Sequence, residues 1–568
     1  MGLAKAATTQ IHDASFVPDA VLRITATNLA QSCLPPKWTV LVNGTAPGPE
    51  LRLQERKTYW IRVYNDMTDN NLTMHWHGLT QGAAPFSDGS PSASQWPLPP
   101  SHFFDYELSI PSGMAGSYYY HSHVGFQSVS ASGPLIIEDP VQPFPYDDEK
   151  IIYLQDLFVK NDTTIEQGLA ARYNWSWSGE SAMVLVNGKG GGSANGTACN
   201  ASLSIIDVEP GKTYRLRFIG ATALTFASLA IEDHLLTIIQ ADGSYTQPHE
   251  TSFLQITTGQ RFDVLIHTHS APLKSQYTIQ IESRERPTVT RGFAILNYGV
   301  KPANPVYPPA DPPLTLPPTS TSFLEYELRP FRQSDINNFP TAAEVTRRVI
   351  MTVHQHALPG QGGQLIWLEN NFSWTEDVPK EPYLVSLYKD DGVEFPSMER
   401  ALKNNGLDLV SGAFPAEIGE VLEIVIQNTG ADSGGLDTHP WHAHGSHYYD
   451  IGSGSGTYNA AMNEVRLIGM QPVKRDTTVL YRYATSTTNG TGAGWRAWRL
   501  RVTEPGVWMI HCHILQHMLM GMQTVWVMGN ETELLDKVPR PEVEGYLTYG
   551  GNVYGNATHW PEVVQYSD

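Results

Sequence analysis

The chain has 568 residues, 41% of them hydrophobic and 17% charged, with 48 Gly and 40 Pro. That composition describes a large globular protein of several domains, rich in turns and strands rather than helices. The formal net charge is −20 and no basic tract occurs, so nucleic acid and anionic membranes are poor partners.

In chain order, the first alternating strand is ERKTYWIRVYN (55–65), placed after a polar turn. It returns as PGKTYRLRFIG (210–220) and IGEVLEIVIQN (418–428), an internal repeat that predicts three copies of one unit. HWHG (75–78) and SDGSP (87–91) follow in the first copy, which ends in GSYYYHSH running into GPLIIEDP. EDPVQPFPYDDEK (138–150) is a proline and acid linker. The middle copy ends in SQYTIQIESR and RGFAILNYG and lacks histidines at that place. KPANPVYPPADPPLTLPPTS (301–320) is so proline-rich that it must be extended, a strap that lets the third unit reach back to the first. The expected units are therefore residues 1–145, 146–310 and 311–568. The third holds HPWHAHG (439–445) and ends in GVWMIHCH running into QTVWVMG.

H-x-H pairs occur at 75/77, 121/123, 267/269, 354/356, 442/444 and 511/513. With 20 His, random placement gives roughly 0.7 such pairs. Four of them sit in aromatic, glycine-bounded strands, where the i and i+2 imidazoles share a face. His267/His269 and His354/His356 end strands beside polar loops and show no further ligand nearby in sequence. In HCHILQHMLMGM (511–522), His511 and His513 point to one side of a strand and Cys512 to the other, so one stretch can serve two metal sites. Thiolate, imidazole and axial thioether are the blue-copper set rather than a closed zinc set, and Cys512, His517 and Met522 supply them. Segment 507–528 has no charged residue, but its histidines and glutamines indicate a buried metal-binding strand and loop instead of a membrane span.

HWHG, HSH, HPWHAHG and HCHILQHMLMGM, in that order, resemble the four copper signatures of the multicopper oxidases, the group of laccases, ascorbate oxidases, bilirubin oxidases and ferroxidases. The resemblance spans essentially the whole chain. It implies an all-β fold of three cupredoxin-like Greek-key β-sandwich domains, with copper between the first and third and the middle one shaping the donor pocket. It implies four copper ions: type 1 on His439, Cys512 and His517 with Met522 axial; type 2 on His75 and His442; and a type 3 pair on His77, His121, His513 and on His123, His444, His511. Four one-electron oxidations of a donor near His517 would then be coupled to reduction of O2 to two waters, with electrons passing from Cys512 through His511 and His513. Asp88 matches the carboxylate that assists proton delivery near type 2 copper, although Asp-Gly is also a common turn pair. Relatives often carry a second acid in HCHI-[DE]-x-H; here that place is Leu515, so any proton route to the type 3 pair must differ.

The expected donors are small electron-rich aromatics such as phenols, aminophenols and aromatic diamines, since an axial methionine implies a modest potential. Ala443 and Ser446-His447 depart from the laccase pattern, which leaves ascorbate oxidase, bilirubin oxidase and ferroxidase as alternatives. A ferroxidase would need carboxylates near His439 and His517, with Asp437 and Asp432 as candidates. His249 or Glu250, before GQRFDVLI, is expected to contact the donor, a bland surface loop being the alternative. Cys33 and Cys199 form either a disulfide between the first two units or two buried thiols. The cysteine that many relatives carry in T-Q-C-P-I is absent, Ser94-Gln95-Trp96-Pro97-Leu98 standing there. Sequons at Asn43, Asn71, Asn161, Asn174, Asn195, Asn200, Asn371, Asn489, Asn530 and Asn556 suggest a secreted glycoprotein, expected as a monomer. No signal peptide is visible at MGLAKAATTQ.

Overall fold

The computed structural model describes residues 8–194, 197–199, 201–300, 302–360, 362–376, 380–488, 490–538 and 540–566. The sequons at Asn195, Asn200 and Asn489 and the first seven residues lie outside these.

The repeat seen in sequence becomes a repeated strand pairing. Lys57–Asn65, Thr213–Gly220 and Val421–Ala431 each run parallel to the first long strand of their unit, namely Ala20–Leu29, Asp148–Leu157 and Arg347–Ala357. In each unit a second sheet repeats another parallel pair: Leu51–Gln54 with Ser132–Glu138, Ser204–Asp207 with Arg291–Asn297, and Ala413–Ala416 with Gln523–Met528. Alternating strands bury one face of each sheet against its mate, which gives three cupredoxin-like β-sandwiches. Parallel neighbours cannot be joined by tight hairpins, so the chain crosses between the sheets of a sandwich in Greek-key fashion.

The histidine strands lie in the second sheets of the first and third sandwiches. His75–His77 pairs antiparallel with Gly116–His121, setting His75 opposite His121. His439–Ala443 pairs with Gly506–Cys512, setting Trp441 opposite Cys512 and His442 opposite His511. Period-two alternation then sorts the side chains. Trp76 and Trp441 fill the cores of their own sandwiches, Cys512 joins the latter core, and the histidines face across the junction between first and third units.

Two arrangements run across the units. Beyond Met528 the chain leaves the third sandwich and returns to the first: Tyr554–Gly555 adds to its five-stranded sheet, and Tyr546, Leu547, Val553 and Val564 enter its core. Burying those side chains against an otherwise open sheet edge drives the return. Among its described residues the proline strap forms no strand. It hydrogen-bonds the second sandwich, where the carbonyls of Leu314 and Pro317 accept from Gln280 and Arg284 at 2.8 and 2.9 Å, and Phe323, Leu324 and Leu328 pack on that core. Cys33 and Cys199 form a disulfide, Cα–Cα 5.8 Å, between the first two units. No helix among the described residues is long and apolar enough to cross a membrane.

Candidate metal centres

Cys512 ends its strand, and the chain turns at once into the one-turn helix Leu515–Leu519, which swings His517 back over the sulfur. Cys512 Sγ lies 3.7 Å from His517 Nδ1 and 4.0 Å from His439 Nδ1, and the two nitrogens are 3.1 Å apart. Met522 is fully buried in the same core cluster; its carbonyl accepts from Cys512 N–H at 3.1 Å and its N–H donates to the His517 carbonyl at 3.0 Å. Trp367 packs its ring 4.8 Å from His439 and 5.0 Å from His517. Burial presses both imidazoles down to about 3 and pushes the Cys512 thiol up. Uncharged imidazoles and a soft sulfur converging in a buried site form a ligand set for a soft metal.

The other eight histidines converge between the first and third sandwiches. Donor atoms within 4.8 Å of one another group as His75, His77 and His121; His75, His442 and His444; His123, His444 and His511; and His77, His442 and Asp476. His513 falls in none of these triplets; its Nε2 meets the Tyr119 hydroxyl at 3.2 Å, and its ring stands 4.8 Å from His77 and 5.3 Å from His121. In most rings one nitrogen is anchored and the other is left for the centre. Nδ1 of His75, His121, His442 and His511 donates to the carbonyls of Asp88, Ser122, Asp476 and Cys512 at 2.7 to 3.0 Å. His77 is turned the other way, with Nε2 at 3.2 Å from the Thr477 hydroxyl. Nε2 of His75, His121, His123 and His442 and Nδ1 of His77 are buried without a hydrogen-bond partner. Orphaned, converging nitrogens of this kind are what a bound cation satisfies, so the residues fit metal.

Asp88 sits in a turn that only glycine closes: Gly89, next in the chain, has φ +83°, and a Cβ there would stand 1.9 Å from the Met74 carbonyl oxygen. The fully buried Asp88 carboxylate accepts from Ser90 Oγ at 2.5 Å and from His444 Nδ1 at 2.9 Å. Burial raises its pKa to about 6. Asp476, invisible to motif reading because RDTT matches no pattern, lies 3.4 Å from His77 Nε2 and 3.6 Å from His442 Nδ1. Although burial opposes it, Arg261 holds that carboxyl well below the usual range. His447, noted as a departure in sequence, lies 3.4 Å from Asp476 and donates to the Gly78 carbonyl at 2.8 Å.

The sequence-predicted donor residues separate. His517 turns Nε2 outward to Asp437, 3.6 Å away, beside Trp177, whose ring lies 6.3 Å off. Arg286 bridges Glu180 at 2.7 Å and Asp437 at 3.7 Å. His249 lies on the sheet-edge strand Ser244–Thr251 and meets Glu327 at 3.5 Å; neither it nor Glu250 has a contact with His517. Asp432 is held by His354 and His356 at 2.9 and 2.8 Å, so that H-x-H pair has a carboxylate partner that the sequence did not disclose.

Comparison with known proteins agrees with this geometry. Family models described as multicopper oxidase match residues 23–142, 148–301 and 379–532. The chain is 44% identical to laccase-like multicopper oxidase 1 of Thermothelomyces thermophilus, over 100% of this chain and 95% of that one. It is 45% identical to multicopper oxidase aurL2 of Gibberella zeae, over 98% and 96%, and 31% identical to L-ascorbate oxidase of Cucumis sativus, over 86% and 85%. Among solved structures, Fet3p, a multicopper oxidase that functions in iron import, superposes with TM-score 0.72 at 23% identity, over 92% and 91%. The laccase of Botrytis aclada does so with 0.67 at 21%, over 91% and 88%. This chain belongs to the multicopper oxidase family, copper-dependent oxidoreductases that act on reducing substrates with O2.

Proposed function

We propose that the protein couples four one-electron oxidations of small electron-rich aromatics to the reduction of O2 to two waters. In this reading His439, Cys512 and His517, together with Met522, would hold type 1 copper; His75 and His442 would hold type 2. His77, His121 and His513 hold one type 3 copper and His123, His444 and His511 the other. The carrying observation is the opposition of Cys512 to its neighbours: its sulfur joins His439 and His517, while His511 groups with His123 and His444 on the far side of the strand. Copper bound at these places supplies one-electron storage and the reduction of O2. The chain supplies short covalent bridges from Cys512 to His511 and His513, anchored rings, and Asp88, whose pKa near 6 lets it take or give a proton beside His444.

The donor surface follows from His517. Trp177 offers a flat apolar wall, and Asp437 Oδ2 is placed to accept the proton that a phenol sheds on oxidation. The Arg286 guanidinium between Glu180 and Asp437 partly neutralises the Asp437 carboxylate, which weakens its hold on a ferrous cation. A second reading, ferroxidase, rests on Asp437 alone, since Asp432 is engaged by His354 and His356. Trp177→Ala and Asp437→Asn should each raise the KM for an aminophenol about tenfold or more while leaving the blue absorption intact. Unchanged KM in both, or faster turnover of ferrous iron than of any aromatic in the parent enzyme, would remove the aromatic assignment.

We also propose that the protein acts outside the cell. The supports are the disulfide and the surface position of Asn43, Asn161, Asn174, Asn371 and Asn530 among the described sequons.

A further inference from the structure

Leu515 occupies the place where relatives often have an acid, and it is buried in the apolar core with its N–H on the Ala223 carbonyl. No carboxylate can reach the cluster from there. One arrives from a different part of the chain. Glu376, after the strand Leu365–Glu369 of the third unit, accepts from His123 Nδ1 through Oε1 at 2.8 Å, with side-chain exposures of 13% and 1%. Its own carbonyl accepts from Ser92 Oγ at 2.5 Å, and Tyr383 and Leu384 donate backbone bonds to Ser92 and Ala93 at 3.0 and 2.8 Å. Those contacts stitch the Glu376 segment to the same loop that presents Asp88.

The cluster's imidazoles are not anchored alike. His75, His121, His442 and His511 lean on carbonyls, and His77 and His513 on the hydroxyls of Thr477 and Thr258. Carboxylates come within 3 Å of two rings, Asp88 to His444 at 2.9 Å and Glu376 to His123 at 2.8 Å. Both rings belong to the triplet His123, His444 and His511. A carboxylate behind Nδ1–H locks the ring in the tautomer that offers Nε2 and makes that nitrogen a stronger ligand.

We propose that Glu376 is the positioning residue for the type 3 copper on His123, His444 and His511, replacing from a separate loop the acid missing at Leu515. The inference rests on the copper assignment above. The test compares holoenzyme of the parent, Glu376→Ala and Glu376→Gln, each dialysed against a graded copper chelator, with copper counted per chain and type 1 absorption near 600 nm followed alongside. The amide oxygen of glutamine still accepts from Nδ1–H and alanine offers nothing. We expect alanine to weaken retention of one copper by about ten- to a hundredfold without loss of blue colour, and glutamine to restore it to within about threefold. Alanine retaining copper as tightly as the parent, or a loss that glutamine does not relieve, would overturn the role of Glu376. A parent that never held four coppers would instead refute the assignment beneath it.

Discussion

Arg261→Met tests whether the buried charges behind the cluster hold the units in place. The Arg261 guanidinium is fully buried and meets both oxygens of Asp476, at 2.6 and 2.5 Å, across the boundary between second and third units. Asp242 lies 3.6 Å from Arg261 and pairs with Arg475 at 2.5 Å, so two cations and two anions form a closed set. Methionine keeps the volume and removes the charge, leaving Asp476 fully buried with the Thr477 hydroxyl at 2.9 Å and imidazoles no nearer than 3.4 Å. Stranding one partner of a buried pair costs about 3–5 kcal/mol. With a urea slope of about 3 kcal/mol/M, the midpoint should fall by about 1 M or more. Adding Asp476→Asn removes the stranded charge, so the double variant should recover part of the loss. The cost of Arg261→Met alone should also shrink at acid pH, where a proton on the buried Asp476 removes the charge that the missing guanidinium balanced. Unfolding of copper-stripped and copper-loaded protein, followed by tryptophan fluorescence, measures all three. A midpoint within about 0.2 M of the parent, or a double variant weaker than the single one, would refute the reasoning.

Further outcomes follow from other parts of the molecule. Cys512→Ser should abolish the 600 nm absorption and turnover together while the other three coppers still load; surviving turnover would break the electron route. Cys33→Ser with Cys199→Ser removes a cross-link spanning 166 residues and should lower stability by about 2–4 kcal/mol, read from denaturant midpoints without change in blue colour. Glu149 is held at about 2, because burial, which alone would raise it, is outweighed by Arg217 and Arg52. Its folded value lies below the unfolded 4.5, so its contribution is present above 4.5 and lost as pH falls toward 2. The stability gap between parent and Glu149→Gln should close over that window, and a gap independent of pH would show that the ion pairs contribute nothing.

The threefold repeat, the two-sided use of Cys512 and the identity of the histidine strands were legible in the chain alone, since alternation along a strand is a local property. The register that sets His75 opposite His121 and His442 opposite His511 needed the sheets. Distance in sequence hid the rest. Glu376, Asp476 and Thr258 stand behind cluster imidazoles although they lie 253, 34 and 255 residues away from His123, His442 and His513. Distance also separates His249 and Glu250 from His517: the sheet order puts their strand at an edge against Glu327, while Trp177, Arg286 and Asp437 gather beside His517. Ligand types and their spacing come from short-range chain geometry, so the sequence by itself determined the metal chemistry. Which carboxylates stand behind those ligands, and where the C-terminal tail lies, depend on which apolar faces find each other, and only the tertiary structure decided that.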